Sequence, residues 1–445
     1  MGATGAPPQV LAVEEHAMRI LQSMLTALVN APVRMAALGW RQPAGIDKDP
    51  EAAIDAVLSA TGEVSSLVYA RSLLDQIEAM DDSALATLMT HIATRFDLNG
   101  DRLARAAAAY AAKPDAAKLA GIAAIAEPRW MELFRRLNAT DGGTVRLVRL
   151  RERLLRVTGQ SPDAGRLDSG LKSLLRMWFN PGFLILQPID WSTPANILEK
   201  IIAYEAVHAI SSWDDLRARL APEDRRCFGF FHPSMPEEPL IFVEVALTEA
   251  IPRDIDSVLE IDREALAAET ASTAVFYSIS NCQAGLAGIS FGNFLIKRVA
   301  QELKQEFPEL KRFVTLSPVP GLMRWLRKAN PDLAGVFDTA DAGFWNGDAA
   351  QHEAAFLAAA IRYFTEPERE DGWPNDPVAR FHLGNGAILE QLNFGADRSP
   401  KGMKQAGGLM VNYLYDLDVV EANHETFHET RAVPLSPALR RLTPR

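Results

Sequence analysis

A serine with a rigid backbone is the first residue in the sequence that could do chemistry. Ser317 follows the predicted strand 313–316 and is succeeded by Pro318 and Pro320. Proline fixes the backbone torsion φ and removes an N–H donor, so we expect the serine hydroxyl to occupy one defined position. The hydroxyl could act on a substrate. The same pattern also ends a strand, and on these residues alone the strand end is slightly favoured.

A histidine on a predicted helix is the second candidate. The helix is expected to open at Asp376 and Pro377 and to include His382. An imidazole can donate or accept a proton near neutral pH. A lone histidine on a partly apolar helix is nevertheless more often a packed core residue. Asn385 lies three positions later, one helical turn away, and is placed to hydrogen-bond to His382.

A glycine-rich turn between a strand and a helix is a candidate phosphate site. Residues 273–279 have a strand pattern, and Gly285, Gly288 and Gly292 precede the helical pattern of 294–299. Glycines let backbone N–H groups approach a phosphate closely, and the following helix presents its positive end. The spacing is not that of a P-loop or of a repeated βαβ dinucleotide fold. The spacing suits the pyrophosphate loop of CoA-dependent acyltransferases. A tight turn that binds no ligand is an equally good interpretation of it.

The segment 395–408 is basic. It carries Arg398, Lys401 and Lys404 against Asp397. This composition predicts either a contact with the phosphate of an adenosine moiety or a solvated loop.

Two tyrosines follow on a predicted strand. The run 409–414 has a strand pattern, and Tyr413 and Tyr415 lie two positions apart. Because alternate residues of a strand project to the same side, the two tyrosines share a face.

The run 424–428 matches the His-Glu-x-x-His pattern of zinc proteases. That chemistry requires a buried helix and a third ligand from further along the chain. Here the flanking residues Asn423 and Glu429 are polar, and no Asp, Glu, His or Cys follows Glu429. The pattern therefore does not predict a zinc site.

Length and composition restrict the class of protein. A chain of 445 residues exceeds what one hydrophobic core usually supports, so two domains are expected. The 46 basic and 57 acidic residues give a net charge of −11, which argues against a binder of nucleic acid or anionic membranes. The two cysteines, Cys227 and Cys282, provide no disulfide framework. We see no secretory signal or membrane-spanning run, and these observations predict a cytoplasmic location.

The apolar periodicity changes near residue 179. Before it, apolar residues recur at spacings of three and four, which predicts an all-α helical bundle over residues 9–178. After it, strand patterns occur at 183–187, 228–231, 240–247, 273–279, 313–316 and 409–414, and helical patterns at 350–364 and 377–392. Consecutive strands precede the first crossover helix, so residues 179–445 are expected to form an α+β domain.

Taken together, these segments resemble the malonyl-CoA decarboxylase family. The resemblance covers the C-terminal two thirds and is carried by segments 191–210 and 226–251, and most closely by 276–299, 316–321 and 381–415. The resemblance is specific because several uncommon short sequence motifs occur in the same order as in the family and at compatible spacing. The N-terminal part is similar to the family in its helical pattern more than in its residue-by-residue sequence.

The resemblance implies an architecture and an activity. A helical domain, involved in oligomerisation as a dimer or tetramer, would precede a GNAT-like catalytic domain with a mixed, mostly antiparallel sheet. The implied reaction is decarboxylation of malonyl-CoA to acetyl-CoA and CO₂, with no metal, biotin or pyridoxal cofactor. Two alternatives are an acyl-CoA N-acyltransferase on the same fold and a non-catalytic CoA-ester-binding protein.

The resemblance also implies roles for individual residues. It assigns catalysis to Ser317, His382 and Tyr415. We expect Ser317 to hydrogen-bond to His382, and His382 to donate a proton because its pKa can lie near neutrality. The residues expected to bind CoA are Gln283, Ala287, Gly288, Ile289, Ser290, Phe291, Gly292 and Asn293. At Ser290 the family often has glutamate, so the role of a carboxylate there stays open.

Overall fold

The computed structural model describes residues 46, 48–157, 162–289 and 292–442. They divide into two compact units. The first comprises the described residues up to Trp178 together with Ala284–Ile289, and the second comprises Phe179–Gln283 and the described residues from 292 onward. Residues 9–45 of the predicted bundle lie outside the described residues.

The described part of the first unit is helical, as predicted. Its eight described helices are α1 (Pro50–Ser59), α2 (Glu63–Ala79), α3 (Asp82–Arg95), α4 (Gly100–Ala112), α5 (Ala116–Ile125), α6 (Arg129–Asn138), α7 (Gly143–Val157) and α8 (Pro162–Trp178). Side chains cap several of them: Asp49, Asp81, Asn99 and Asp115 each accept a first-turn N–H. The apolar spacing of α7 buries Leu147, Leu150 and Leu154, so this periodicity forms the core of the unit.

The second unit is built on a mixed sheet. The strands of the described residues are β1 (Ile185–Pro188), β2 (Arg225–Phe231), β3 (Ile241–Thr248), β4 (Thr273–Asn281), β5 (Arg312–Thr315), β6 (Ser317–Pro318), β7 (Ile388–Asn393) and β8 (Met410–Leu414). Their order is β1-β2-β3-β4-β5-β8-β6, and β7 also pairs with β8. The β4–β5 pair is parallel and the other pairs are antiparallel. The predicted α+β class with a mostly antiparallel sheet is confirmed.

The described residues of the second unit also include twelve helices. They are α9 (Ala195–Tyr204), α10 (Trp213–Leu220), α11 (Asp256–Leu259), α12 (Gly292–Glu306), α13 (Leu322–Ala329), α14 (Pro331–Asp338), α15 (Ala342–Asn346), α16 (Ala349–Thr365), α17 (Pro377–Gly384), α18 (Pro400–Ala406), α19 (Val420–Thr430) and α20 (Pro437–Arg440). One core cluster joins α9 and α10 to Phe231 and Phe242, and a second joins Val275, Tyr277 and Val314. Across the described residues, every helix is too short or too polar to traverse a bilayer.

The structure corrects the helix expected over residues 377–392. Helix α17 ends at Gly384, and β7 begins at Ile388. Gly386 has a φ of 86°, a left-handed conformation that glycine adopts without strain. A Cβ at this position would lie 1.9 Å from the carbonyl oxygen of Val420, so the turn requires glycine on steric grounds too. The predicted strands all overlap observed ones, whereas the sequence pattern does not predict β6 or β7.

Candidate active site

A cavity of about 360 Å³ lies where two strands of the sheet separate. The parallel pairing of β4 and β5 stops at Phe276 opposite Thr315, while β4 continues to Asn281. Beyond that point β6 pairs with β8 instead. The cavity walls include Phe276, Ile279, Asn281, Ser317, Phe381 and His382. A mainly apolar pocket with a few polar groups therefore opens within the second unit.

Three side chains form a hydrogen-bonded chain at the cavity. The hydroxyl oxygen of Ser317 lies 3.2 Å from Nε2 of His382. The other ring nitrogen, Nδ1, lies 2.9 Å from the hydroxyl oxygen of Tyr415. All three residues are buried. The expected contact between Ser317 and His382 is thus present, although 65 positions of sequence separate them.

The position of Ser317 is set by its own strand region. Its hydroxyl donates to Oγ1 of Thr315 at 2.9 Å. Thr315 in turn accepts the backbone N–H of Tyr413 at 3.2 Å. Sequence reasoning overlooked Thr315, although its place two residues before Ser317 puts both side chains on one side of an extended chain.

The imidazole of His382 packs against aromatic rings. The ring of Tyr413 stacks on it with centroids 4.6 Å apart and an interplanar angle of 24°. The ring of Phe381 lies nearly perpendicular to the imidazole, at 82°, with centroids 5.0 Å apart. Because Tyr413 and Tyr415 both contact the same ring, the prediction that they share a face is confirmed.

The expected side-chain bond between Asn385 and His382 is wrong. Both ring nitrogens of His382 already have partners, Ser317 and Tyr415. Asn385 instead ends helix α17, where its backbone N–H lies 3.1 Å from the carbonyl oxygen of His382. The helix end, which the sequence pattern placed eight residues later, accounts for the difference.

Burial determines the protonation of the site. It lowers the pKa of His382 from 6.5 to about 3, because the charged ring would lose its hydration. The expectation of a pKa near neutrality is therefore wrong, and the ring is neutral at physiological pH. Burial also raises the pKa of the Tyr415 hydroxyl well above 10, so this group keeps its proton.

The hydrogen-bond directions then select one tautomer of the neutral ring. Because the Ser317 hydroxyl donates to Thr315, its oxygen accepts a proton from Nε2–H of His382. Nδ1 is left to accept the Tyr415 hydroxyl. The ring thus carries its N–H on Nε2, directed at the oxygen of Ser317, which lines the cavity.

A pH profile tests this protonation state. Between about pH 5 and 8 we expect kcat/KM to show no change that reports the titration of His382. The lowered pKa keeps the His382 ring neutral throughout this range. The measurement is steady-state turnover across this range, with circular dichroism to establish that the protein stays folded. A limb with an apparent pKa near 6.5 that disappears in His382→Gln would contradict the assignment.

The residues expected to bind CoA are not gathered in one unit. Gln283 lies in the second unit, where its amide donates to the carbonyl oxygen of Pro239 at 3.1 Å. Ala287, Gly288 and Ile289 belong to the first unit. Ser290 and Phe291 lie outside the described residues, and Gly292 and Asn293 begin α12.

A buried arginine of the first unit holds this turn. The guanidinium of Arg151 donates to the carbonyl oxygens of Gly285 at 2.6 Å and Ala287 at 2.9 Å. It also pairs with Asp168 at 2.8 Å. Sequence reasoning overlooked Arg151. The available signal is a charged residue inside the apolar stripe of α7, four positions after Leu147.

The other basic and histidine motifs have partners inside the second unit. Lys401 donates to the carbonyl oxygens of Ala206 and Val207, at 2.7 and 2.9 Å. His424 Nδ1 and His428 Nε2 lie 2.5 and 3.3 Å from one carbonyl oxygen, that of Gly384. In the described ranges, no three His, Cys, Asp or Glu side chains are grouped to hold a metal ion.

Comparison with known proteins gives consistent matches over both units. Residues 96–179 match the model of the malonyl-CoA decarboxylase N-terminal domain, and residues 182–445 match that of the C-terminal domain. A curated relative, the mitochondrial malonyl-CoA decarboxylase of Rattus norvegicus, is 36% identical over 349 residues, 69% of this chain and 70% of the relative.

Solved structures match as well. The malonyl-CoA decarboxylase of Agrobacterium vitis is 47% identical with a TM-score of 0.85, covering 89% of this chain and 100% of that one. That of Rhodopseudomonas palustris is 47% identical with a TM-score of 0.84, covering 89% and 99%.

Proposed function

Because the chain belongs to the malonyl-CoA decarboxylase family, we propose that it converts malonyl-CoA and one proton into acetyl-CoA and carbon dioxide. The observation that carries this proposal is the buried chain of Ser317, His382 and Tyr415 at a mainly apolar cavity. It offers hydrogen-bond donors to an anion in a site that excludes much of the solvent.

The reaction breaks the bond between the α-carbon and the carboxylate carbon of the malonyl group. The electron pair flows into the thioester carbonyl when that bond lies perpendicular to the thioester plane. Carbon dioxide leaves uncharged, and the product is a thioester enolate. Each positioned donor at the developing oxyanion supplies on the order of 3 kcal/mol.

We assign the donors to Ser317 and His382: when substrate binds, the Ser317 hydroxyl turns from Thr315 to the thioester oxygen, and Nε2–H of His382 turns from Ser317 to the substrate. A neutral imidazole can polarise a carbonyl that becomes an enolate oxygen, and the low pKa of His382 keeps it neutral. The α-carbon takes its proton from the Nε2–H group while Nδ1 takes the proton of the Tyr415 hydroxyl, so the ring stays neutral, and one proton from solvent then neutralises Tyr415. Tyr415 orients the ring by donating to Nδ1.

The apolar wall contributes to the same step. Phe276, Ile279 and Phe381 line the cavity, and such surroundings disfavour the charged carboxylate relative to neutral carbon dioxide. The thioester carbonyl is itself the electron sink, so we propose that the reaction proceeds without metal, biotin or pyridoxal.

Incubation of the purified protein with malonyl-CoA alone tests the function. We expect acetyl-CoA and carbon dioxide in equal amounts, followed by mass spectrometry and carbon dioxide release, and no loss of rate after dialysis against EDTA. Product that appears only with an added amine acceptor would indicate an acyltransferase. Binding of malonyl-CoA without any product would indicate a non-catalytic protein.

Assembly and location are further proposals. We propose a homo-oligomer formed through the helical unit, because α4 and α5 bury none of their residues and Leu119 is 52% exposed. Light scattering of the purified chain measures the assembly.

The curated relatives are named as mitochondrial enzymes. The cytoplasmic location of this chain stays a prediction, which cell fractionation would test.

A further inference from the structure

A buried carboxylate that the proposed mechanism does not use precedes the helix of His382. Asp376 is fully buried and comes directly before Pro377, the first residue of α17. One of its oxygens accepts the backbone N–H groups of Val378 at 2.8 Å and of Ala379 at 2.9 Å. These contacts cap the helix and fix where it begins. His382 follows six positions later, so the location of its imidazole depends on this cap.

The same carboxylate binds the segment that follows Ser317. The backbone N–H of Gly321 donates to it. The hydroxyl of Tyr363 donates to its Oδ2 at 3.4 Å. A Cβ on Gly321 would lie 2.2 Å from the Tyr363 hydroxyl oxygen, so the close approach of this backbone requires glycine. Asp376 therefore connects the backbone of Gly321 to the first turn of α17.

Little freedom separates Gly321 from Ser317. The two residues lie four positions apart, and Pro318 and Pro320 fix backbone torsions between them. Strand β6, which contains Ser317, is held by its pairing with β8. A displacement at the Asp376 carboxylate is thus carried to the contact between the two catalytic side chains. A misplacement of about 1 Å can lower a rate about a hundredfold.

We infer that Asp376 is a positioning residue, whose carboxylate joins the Gly321 backbone to the first turn of α17 and thereby sets the distance between Ser317 and His382. This inference deepens the proposed function and rests on it. In the part of the chain that the structure describes, the next residue, Pro377, lines the cavity and Asp376 does not. Its effect is therefore carried through Ser317 and His382.

The variant Asp376→Ser separates the cap from this connection. Serine is also a favoured capping residue, but its single, shorter-reaching oxygen leaves the Gly321 N–H without an acceptor. We expect kcat for malonyl-CoA to fall about tenfold or more, with KM changed less than about twofold, because the contact that is misplaced acts in the transition state. Asp376→Asn keeps the side-chain length and one acceptor oxygen, and should retain a larger part of kcat.

A double variant distinguishes positioning from a general disturbance of the fold. In a His382→Gln background, Asp376→Ser should lower the residual kcat by less than about twofold, because the contact that Asp376 positions is already lost. A loss of kcat by the same factor in both backgrounds would overturn the inference.

A second buried aspartate provides the matched control. The carboxylate of Asp224 accepts the backbone N–H of Leu266 at 2.9 Å and pairs with Arg263. Within the described ranges, Asp224 is not among the residues that line the cavity. Asp224→Ser is expected to lower thermal stability and to leave kcat unchanged.

The remaining outcomes separate this inference from the proposed function. Wild-type kcat in folded Asp376→Ser would overturn the positioning role. If the wild type forms no acetyl-CoA, the proposed function fails, and a crystal structure of Asp376→Ser still tests the inference. The distance between Ser317 Oγ and His382 Nε2, 3.2 Å in the wild type, should then exceed about 3.5 Å, and an unchanged distance would contradict it. Should Asp376→Ser not fold, Asp376→Asn takes its place in each comparison.

Discussion

His382→Ala is expected to lower kcat for malonyl-CoA decarboxylation by at least about a hundredfold, the lower range for loss of a general acid. The imidazole contacts Ser317 through Nε2 and Tyr415 through Nδ1, so its removal takes away both a donor and the connection between two hydroxyl groups. Stopped assays of acetyl-CoA formation measure the change. KM should change less than kcat, because the interaction is made mainly in the transition state.

Two further variants separate chemistry from folding. His382→Gln keeps a polar side chain in the buried site, so its loss of kcat at unchanged thermal stability assigns the effect to the imidazole. His352→Ala removes another histidine on a helix, α16, that does not line the cavity. It should retain wild-type turnover. Near-normal kcat in folded His382→Gln would remove His382 from the mechanism.

Ser317→Ala is expected to have an effect of similar size, again at least about a hundredfold on kcat. The hydroxyl lies between Thr315 and His382, at 2.9 and 3.2 Å, so alanine removes one donor and leaves Nε2–H without its acceptor. The neutral ring is then free to adopt the other tautomer. The loss should appear in kcat, measured with malonyl-CoA at saturation.

A buried serine outside the cavity provides the control. Ser436 is also buried, and its hydroxyl donates to the carbonyl oxygen of Glu390 at 2.8 Å. Ser436→Ala removes a hydroxyl in the same way and is expected to affect stability with little change in turnover. If Ser317→Ala folds and retains wild-type kcat, Ser317 has no part in the chemistry.

Much of the site could be predicted from residue patterns. Proline flanks predicted a fixed Ser317, a capped helix predicted the location of His382, and strand alternation predicted a common face for Tyr413 and Tyr415. The protonation state could not be predicted, because it depends on burial by Phe381 and Tyr413 from different elements. The direction of the Ser317 hydrogen bond depends likewise on contacts made only in the fold.

The misjudged elements have a common cause. The residues of β7 also suit a helix, and what decides between the two states is pairing with β8 and the turn at Gly386. Arg151 was overlooked because the sequence does not distinguish a buried arginine from an exposed one. Its partners Gly285 and Ala287 are carbonyl groups, 134 and 136 positions away, and carbonyl groups leave no pattern of residue types.

The segment Ala284–Ile289 packs with the helical unit, yet in the chain it interrupts the other one. A truncated gene that starts at residue 179 would keep these six residues and discard Arg151 and the backbone of Val148, which lies against Gly285. The two halves are therefore interleaved in the gene and do not form interchangeable modules. Recombination at the boundary between the two halves would transfer residues 284–289 without Arg151 and Val148, which contact them. Both halves are therefore expected to be inherited together.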